Sequence, residues 1–292
     1  MSLTAIIMTR NERRNIEGAV GSLAGLATEI LVVDRASEDG TREIALSLGC
    51  RVIDDDLGDI SAARNLALSL AAGDWVLFLD ADERLTPGLA SELARHMEEN
   101  PGRAASFLRH NHAFGRRMRF GPLWPDRVAR LFPRDSVHWE GLVHERPVTG
   151  LPEARLRGAV IHHTYQDFRS YLDKQGLYAR LWAENARRRG ARSGPGKAFA
   201  RALFAFLKMF FLRLGIMDGP AGWCLCWYYS GAYTLGKYLL LADAGMPGGG
   251  GGRPVRGAAE DIAPGWDRGG EAGHPTTPEP APAMEPEAAG EP

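Results

Sequence analysis

The chain has 292 residues, 45% of them hydrophobic and 24% charged, with a formal net charge of −1. That length fits one large domain or one and a half, and the composition excludes a wholly disordered or fibrous protein. The near-neutral charge argues against a bulk nucleic-acid binder, although residues 246–292 carry three Arg against eight Asp and Glu and leave the rest of the chain basic.

Short apolar runs alternate with helical spacing from the first residues. Leu3–Met8 reads as a buried strand, followed by a helix over Arg14–Leu26 with Ile16, Val20 and Leu23 on one face. Ile30–Val33 is a second strand ending at Asp34, and Arg42–Leu48 a helix with Gly49 as its stop. Arg51–Ile53 is a third strand, Ile60–Ala72 a helix, and Trp75–Leu79 a fourth strand ending at Asp80. Pro87–Asn100 is a helix with Pro in its first turn. This alternation predicts an α/β fold with a mostly parallel sheet covered on both faces. Further strands are expected at Ser106–Arg109, Val128–Phe132 and Ala159–His162, in a more irregular half of the same sheet.

Helices follow at Phe168–Arg189, Lys197–Met217 and Ala221–Ala242. Residues 187–217 hold eight Lys and Arg and no acid, interleaved with phenylalanines, which predicts an interfacial helix on anionic lipid. Residues 221–242 have the length of a membrane span, but aromatics spread along them suit an in-plane or packed helix better. Residues 246–292 hold 11 Gly and 9 Pro and are expected to be a disordered tail. The division expected is 1–165, 166–245 and 246–292. Cys50, Cys224 and Cys226 make no disulfide framework, and the Cys224-x-Cys226 pair reads as packing rather than a metal site. The N-terminus has no secretory pattern, so the active part is expected to face the cytoplasm.

In an open parallel sheet, ligands bind beyond the carboxyl ends of the strands. Those ends carry Thr9-Arg10-Asn11-Glu12, Asp34, Asp54-Asp55-Asp56 with Asp59, and Asp80-Ala81-Asp82-Glu83. Crowded acids need a cation or a donor-rich ligand. A strand that stops at D-x-D offers two carboxylates to a hard ion such as Mg²⁺ or Mn²⁺, which commonly takes one or two carboxylates plus substrate phosphates. Asp80 and Asp82 are therefore metal candidates, unless Asp82 and Glu83 merely cap the next helix. Arg64 opens a helix near the same edge and suits a diphosphate, with a surface salt bridge as the alternative. Residues 103–134 carry eight Arg and one Asp, a patch suited to an anionic acceptor.

The segments LTAIIMTRNERRNIEGAVGSL, EILVVDRASEDGTREIA, SAARNLALSLAAGDWVLFLDADERLTP and FGPLWPDRVARLF…WEGLVHERP…IHHTY resemble the family 2 glycosyltransferases of GT-A, Rossmann-like fold. More narrowly they resemble the branch that builds the lipopolysaccharide core. The resemblance runs from about residue 2 to about 243, and its one visible departure is Arg35 where the family has a small residue. It implies a metal-dependent, inverting transfer of sugar from a nucleotide-sugar donor to a glycolipid or saccharide acceptor. It implies that Thr9, Asn11, Glu12 and Asp34 frame the nucleotide, with Asn11 also a possible helix cap. Asp80 and Arg64 complete the donor site. The family's His-Glu pair falls on His144-Glu145, which makes Glu145 the first choice of catalytic base and Asp126 the second, against an ion pair of Glu145 with Arg146 or Arg130. His162 matches a late metal-binding histidine. Trp124, Trp139 and Tyr165 are candidates for stacking on sugar or for packing. The implied place is the cytoplasmic face of a membrane. The alternatives are a nucleotidyltransferase, disfavoured by the lack of glycine in Thr9-Arg10-Asn11-Glu12, and an inactive scaffold of the same fold.

Overall fold

A computed structural model describes residues 1–55, 59–141 and 145–243. The predicted tail over 246–292, Asp56 and the Leu142-Val143-His144 segment lie outside the described residues.

The first half alternates β1 (Leu3–Thr9), α1 (Ile16–Gly21), β2 (Glu29–Asp34), α2 (Thr41–Ser47), β3 (Arg51–Asp54), α3 (Ile60–Leu70) and β4 (Trp75–Asp80). After these come β5 (Glu83–Leu85), α4 (Pro87–Glu99), β6 (Ala104–Ala113), β7 (Arg116–Arg117), β8 (Arg127–Pro133), β9 (Val137–Glu140), β10 (Arg146–Thr149) and β11 (Glu153–Tyr165). The main sheet runs β3-β2-β1-β4-β8-β6-β11-β5, with β7 pairing to the end of β6. β3, β2, β1 and β4 are mutually parallel, and β6 is parallel to β11, while β8 and β5 run against their neighbours. The sheet is therefore mostly parallel, as the sequence predicts. β9 and β10 form a separate two-stranded ladder.

Every residue of β1 and β4 is buried, as a central strand covered on both faces requires. One face packs under α1, α2 and α4 through Ile16, Ala45, Leu89 and Leu93. The other packs under α3 through Ala63 and Ala67, with Trp139 from β9 in the same cluster. Local signals set the element ends. Asp59 caps α3 at Ser61 N, Thr86 caps α4 at Leu89 N with Pro87 following, and Gly49 has φ +78° just beyond α2. The cap on α4 thus falls to Thr86 rather than to Asp82 or Glu83.

The C-terminal helices begin with α5 (Phe168–Arg188) and α6 (Pro195–Leu207). The helix expected over 197–217 is interrupted: a π-helical turn over Lys208–Leu212 and a 3₁₀ turn over Gly215–Asp218 follow α6. The helix expected over 221–242 runs without a gap, as α7 (Gly219–Tyr228), a π-helical stretch over Tyr229–Leu235 and α8 (Gly236–Asp243). Among the described residues, no helix is long and apolar enough to cross a membrane.

Candidate active site

Strand register brings the sequence candidates to one edge. Thr9 is level with Asp34, Asp34 with Asp54, and Asp80 with Met8, the residue before Thr9. Strand order reverses around β1, between β2 and β4, and such a switch point opens a crevice at the carboxyl ends.

On the β1–β2 side the acids are already engaged. Asp34 accepts hydrogen bonds from Thr9 Oγ1 at 3.0 Å, from Ser37 N at 3.0 Å and from the Ser37 hydroxyl. Asn11 has φ +55° and accepts from Glu38 N at 2.9 Å, so its side chain ties two loops together instead of capping α1. Asp39 accepts from Arg13 N and Thr41 N and organises the start of α2. Farther along the edge, Arg35 Nε meets Asp55 at 3.1 Å in a buried pair, and Arg42 holds Asp54 at 3.0 Å. The family departure at Arg35 therefore serves an internal ion pair. Of these acids Asp54 and Asp55 are paired with the chain's own arginines, while Asp34 and Asp39 are held by hydroxyl and backbone N–H donors.

The second cluster lies at the end of β4. Asp80 is 3% exposed, and its carboxylate takes a hydrogen bond from Arg130 Nη2 at 2.9 Å. Arg64 and Arg109 stand 3.8 and 3.9 Å from the same carboxylate. Arg64 is buried in α3 with its guanidinium 4.0 Å from the Trp139 ring centroid, and its Nη2 is 3.6 Å from Glu145. The partner of Glu145 is thus Arg64, and Arg64 is not a surface residue. Arg64 Nη2 makes both ion contacts, and neither Nε nor Nη2 makes a hydrogen bond. Burial, then the charge of Arg130, bring the Arg64 pKa down to about 10. Asp126 accepts from Arg109 Nε at 2.7 Å and from Asn111 Nδ2 at 3.1 Å. Burial raises the Asp126 pKa, but Arg109 and Asn111 outweigh it and hold the carboxyl below its ordinary value.

Asp82 and His162 meet because β5 turns back against β11. His162 pairs with Glu83 in that ladder, and His163 N donates to Asp82 O at 2.9 Å. His162 Nε2 lies 3.3 Å from Asp82 Oδ2, and its Nδ1 lies 2.6 Å from Asn111 Oδ1. Burial alone would push the Asp82 carboxyl up. The His162 charge and hydrogen bond, with Lys174 and Arg109, hold it down at about 2. His162 is lowered by burial yet raised overall by Asp82. Glu12, after β1, also feels the Asp82 charge. Burial and the Asp82 charge raise it to about 7, against a lowering hydrogen bond from Asn15.

A hard divalent ion that also binds substrate phosphates needs only one or two protein ligands. Asp82 and His162 supply an oxygen and a nitrogen donor side by side and fit that role. Asp80 instead belongs to the arginines. Among the described residues, no group of three or more His, Cys, Asp or Glu forms a larger metal cage.

Several residues in this cluster escape a reading by motif. Arg109 and Asn111 share a face of β6 with Phe107, so strand alternation turns them inward. Arg130 interrupts the apolar run Val128–Phe132 and is buried. Glu83 is fully buried, accepts from Asp80 N at 3.0 Å, and is raised by burial and then by Asp80. The eight-arginine patch accordingly breaks up. Arg127 hydrogen-bonds Ser106 O and Leu156 O, Arg134 pairs with Asp135, and Arg116, Arg117 and Arg119 remain exposed. Trp139 and Tyr165 are packing residues, buried against Phe78 and Tyr171, whereas Trp124 is partly exposed two residues before Asp126. Asn65, beside Arg64, exchanges two hydrogen bonds with the Trp139 backbone and anchors β9. Glu140 is exposed and paired with His138.

Residues 4–147 match the model of the family described as Glycosyl transferase family 2. An uncharacterized glycosyltransferase of Rickettsia typhi is 26% identical over 255 residues, covering 82% of this chain and 85% of the relative. One from Rickettsia felis is 26% identical over 256 residues, with 82% and 88% covered. Among solved structures, glucosyl-3-phosphoglycerate synthase of Mycobacterium tuberculosis, crystallised with Mn²⁺, uridine diphosphate and glucosyl-3-phosphoglycerate, has a TM-score of 0.42 at 18% identity. That likeness covers 59% of this chain and 75% of the other.

Proposed function

The chain belongs to glycosyl transferase family 2, and from that premise we propose that it moves a sugar from a nucleoside-diphosphate donor to an anionic glycolipid of the lipopolysaccharide core, with inversion. In this reading residues 1–165 form the transferase unit and residues 166–245 bring it to the cytoplasmic face of a membrane. The observation that carries the chemistry is the Asp82–His162 pair, 3.3 Å apart, beside the carboxyl end of β4.

Asp82 and His162 hold a divalent ion, Mg²⁺ or Mn²⁺, which when bound neutralises the leaving nucleoside diphosphate. Thr9, Asn11, Glu12 and Asp34 shape the loops that receive the nucleotide. Asp34 is rigid because Thr9 and Ser37 occupy most of its acceptor sites. Arg130, Arg64 and Arg109 fix Asp80 against the donor edge.

Glu145 takes the proton of the acceptor hydroxyl. Two observations favour it over Asp126. Asp126 is bound by Arg109 and Asn111 and depressed in basicity. Among the described residues Glu145 has a single ion contact, at 3.6 Å. Arg64 bridges Glu145 and Asp80, so the base and the donor-side acid are positioned by one buried guanidinium. Arg116, Arg117 and Arg119 are the exposed cations available to an anionic acceptor.

The test is a screen of sugar nucleotides with Mn²⁺ or Mg²⁺, first for donor hydrolysis and then for transfer to lipopolysaccharide-core glycolipids. The reading expects one donor to be consumed and its sugar to appear on a phosphorylated or acidic glycolipid. Consumption of none, by a folded chain, contradicts it and favours the inactive scaffold.

A further inference from the structure

The helical region leaves a large apolar face uncovered. Phe199, Leu203 and Phe204 on α6 are 60–61% exposed, and Trp223 and Trp227 on α7 are 50% and 64% exposed. Helical spacing puts Phe199, Leu203, Leu207 and Phe211 along one side of α6 and the turn after it. Ring contacts join the two helices into one surface: Phe206 to Trp227 at 5.7 Å, and Phe210 to Phe211 at 5.0 Å and to Trp223 at 6.4 Å. Monomeric proteins rarely leave apolar area exposed on this scale without a partner.

Charge identifies the partner. The apolar side of α6 is bordered by Lys197 and Arg201, and Arg187, Arg189 and Arg192 are exposed just before it. No acid occurs from residue 187 to residue 217. A second copy of this chain would set these cations against one another. An anionic lipid surface would attract them and accept the aromatic side chains at the headgroup boundary. The π-helical turn after α6 supports an in-plane arrangement, since no described helix is both long and apolar enough to span.

The same face is tied to the candidate site. Asp218 accepts hydrogen bonds from Arg119 N and Phe120 N, Gly121 N donates to Arg213 O, and Arg213 Nη1 donates to Trp124 O. These contacts fix the segment after α6 against residues 119–124, which lead directly into Asp126.

We infer that the face formed by α6, the turn after it and α7 docks in the plane of an anionic bilayer and presents residues 119–126 to a lipid-anchored acceptor. The second part rests on the transferase reading; the first does not. The test is co-sedimentation of the full chain with vesicles of phosphatidylcholine alone or mixed with phosphatidylglycerol, at low and high salt, with no donor or acceptor present. Binding should require phosphatidylglycerol and fall as salt rises. Lys197→Glu with Arg201→Glu should weaken it at least about tenfold, and Leu203→Ser with Phe204→Ser should weaken it similarly, with unchanged circular dichroism in both. Trp227→Phe should remove part of the quenching by brominated lipid. Equal binding to neutral vesicles, or binding indifferent to both double variants, would overturn the inference. So would a dimer in light scattering that Leu203→Ser with Phe204→Ser dissolves, with no vesicle binding. Because no step reads turnover, any of these results would remove the membrane placement and leave the sugar-transfer chemistry standing.

Discussion

Arg84 locks the acidic turn to α1. Its Nη1 donates to Ala81 O and to Glu83 O, each at 2.8 Å, and its Nη2 donates to Asn15 O at 2.7 Å. The guanidinium lies over Gly18, where an added Cβ would come within 2.9 Å of Arg84 Cζ. Only a residue without a side chain leaves room for this clamp on the Asp80–Glu83 turn.

Gly18→Ala should therefore displace Arg84 and loosen the turn that carries Asp82. Turnover should fall by up to about 10²-fold, the effect that misplacing a reacting group by about 1 Å can produce. Arg84→Ala should do the same, and the double variant should be little worse than either, because the two act through one contact. Additive losses in the double variant would show that they act separately.

Glu145→Gln should bind sugar nucleotide normally and lose at least about 10²-fold in turnover, as removal of a general base does. Asp126→Asn should behave differently. It breaks the 2.7 Å pair with buried Arg109, so its main effect should be a loss of stability, about 3 kcal/mol for a buried pair that loses one partner. A stable, inactive Asp126→Asn beside an active Glu145→Gln would transfer the role of base to Asp126.

Glu12 gives the molecule a pH dependence of defined sign. Its carboxyl titrates at about 7 in the folded chain against 4.5 unfolded, through burial and the Asp82 charge. Between those values the native state holds more protons than the unfolded state, so this group lowers stability as pH rises from about 4.5 to 7. Glu12→Gln should raise the melting temperature at pH 8 relative to the native sequence, with the difference shrinking towards pH 4. A gain that is constant across this range would remove the titration of Glu12 as its cause.

Much of this arrangement is legible in the sequence. Fully apolar runs such as Ile6-Ile7 and Leu77-Phe78-Leu79 mark strands covered on both faces, and Gly49 marks a helix end through its positive φ. Asp82 stands out through the D-x-D that follows an apolar strand, whereas His162 is singled out only by the family resemblance, because it lies inside the 13-residue β11 with nothing in the local pattern to mark it. What composition hides is direction. The arginines of residues 103–134 count as a surface patch, but strand alternation turns Arg109 into the site, and Arg130 is buried within an otherwise apolar strand. β5, β9 and β10 are three or four residues long, too short for a period to show. α6 passes into its π-helical turn at Lys208 with no glycine or proline to announce the change, whereas the π-helical stretch after α7 contains Gly231.

The central claim is that Asp82 and His162 serve metal-dependent sugar transfer, and the most direct measurement is turnover of the sugar nucleotide by the full chain with Mn²⁺, with Mg²⁺ and in EDTA, beside Asp82→Ala and His162→Ala. Turnover should vanish in EDTA and return with added Mn²⁺ or Mg²⁺. It should be lost in Asp82→Ala and strongly reduced in His162→Ala, with both variants retaining the native circular dichroism spectrum. Undiminished turnover in EDTA, or in Asp82→Ala, would contradict the account.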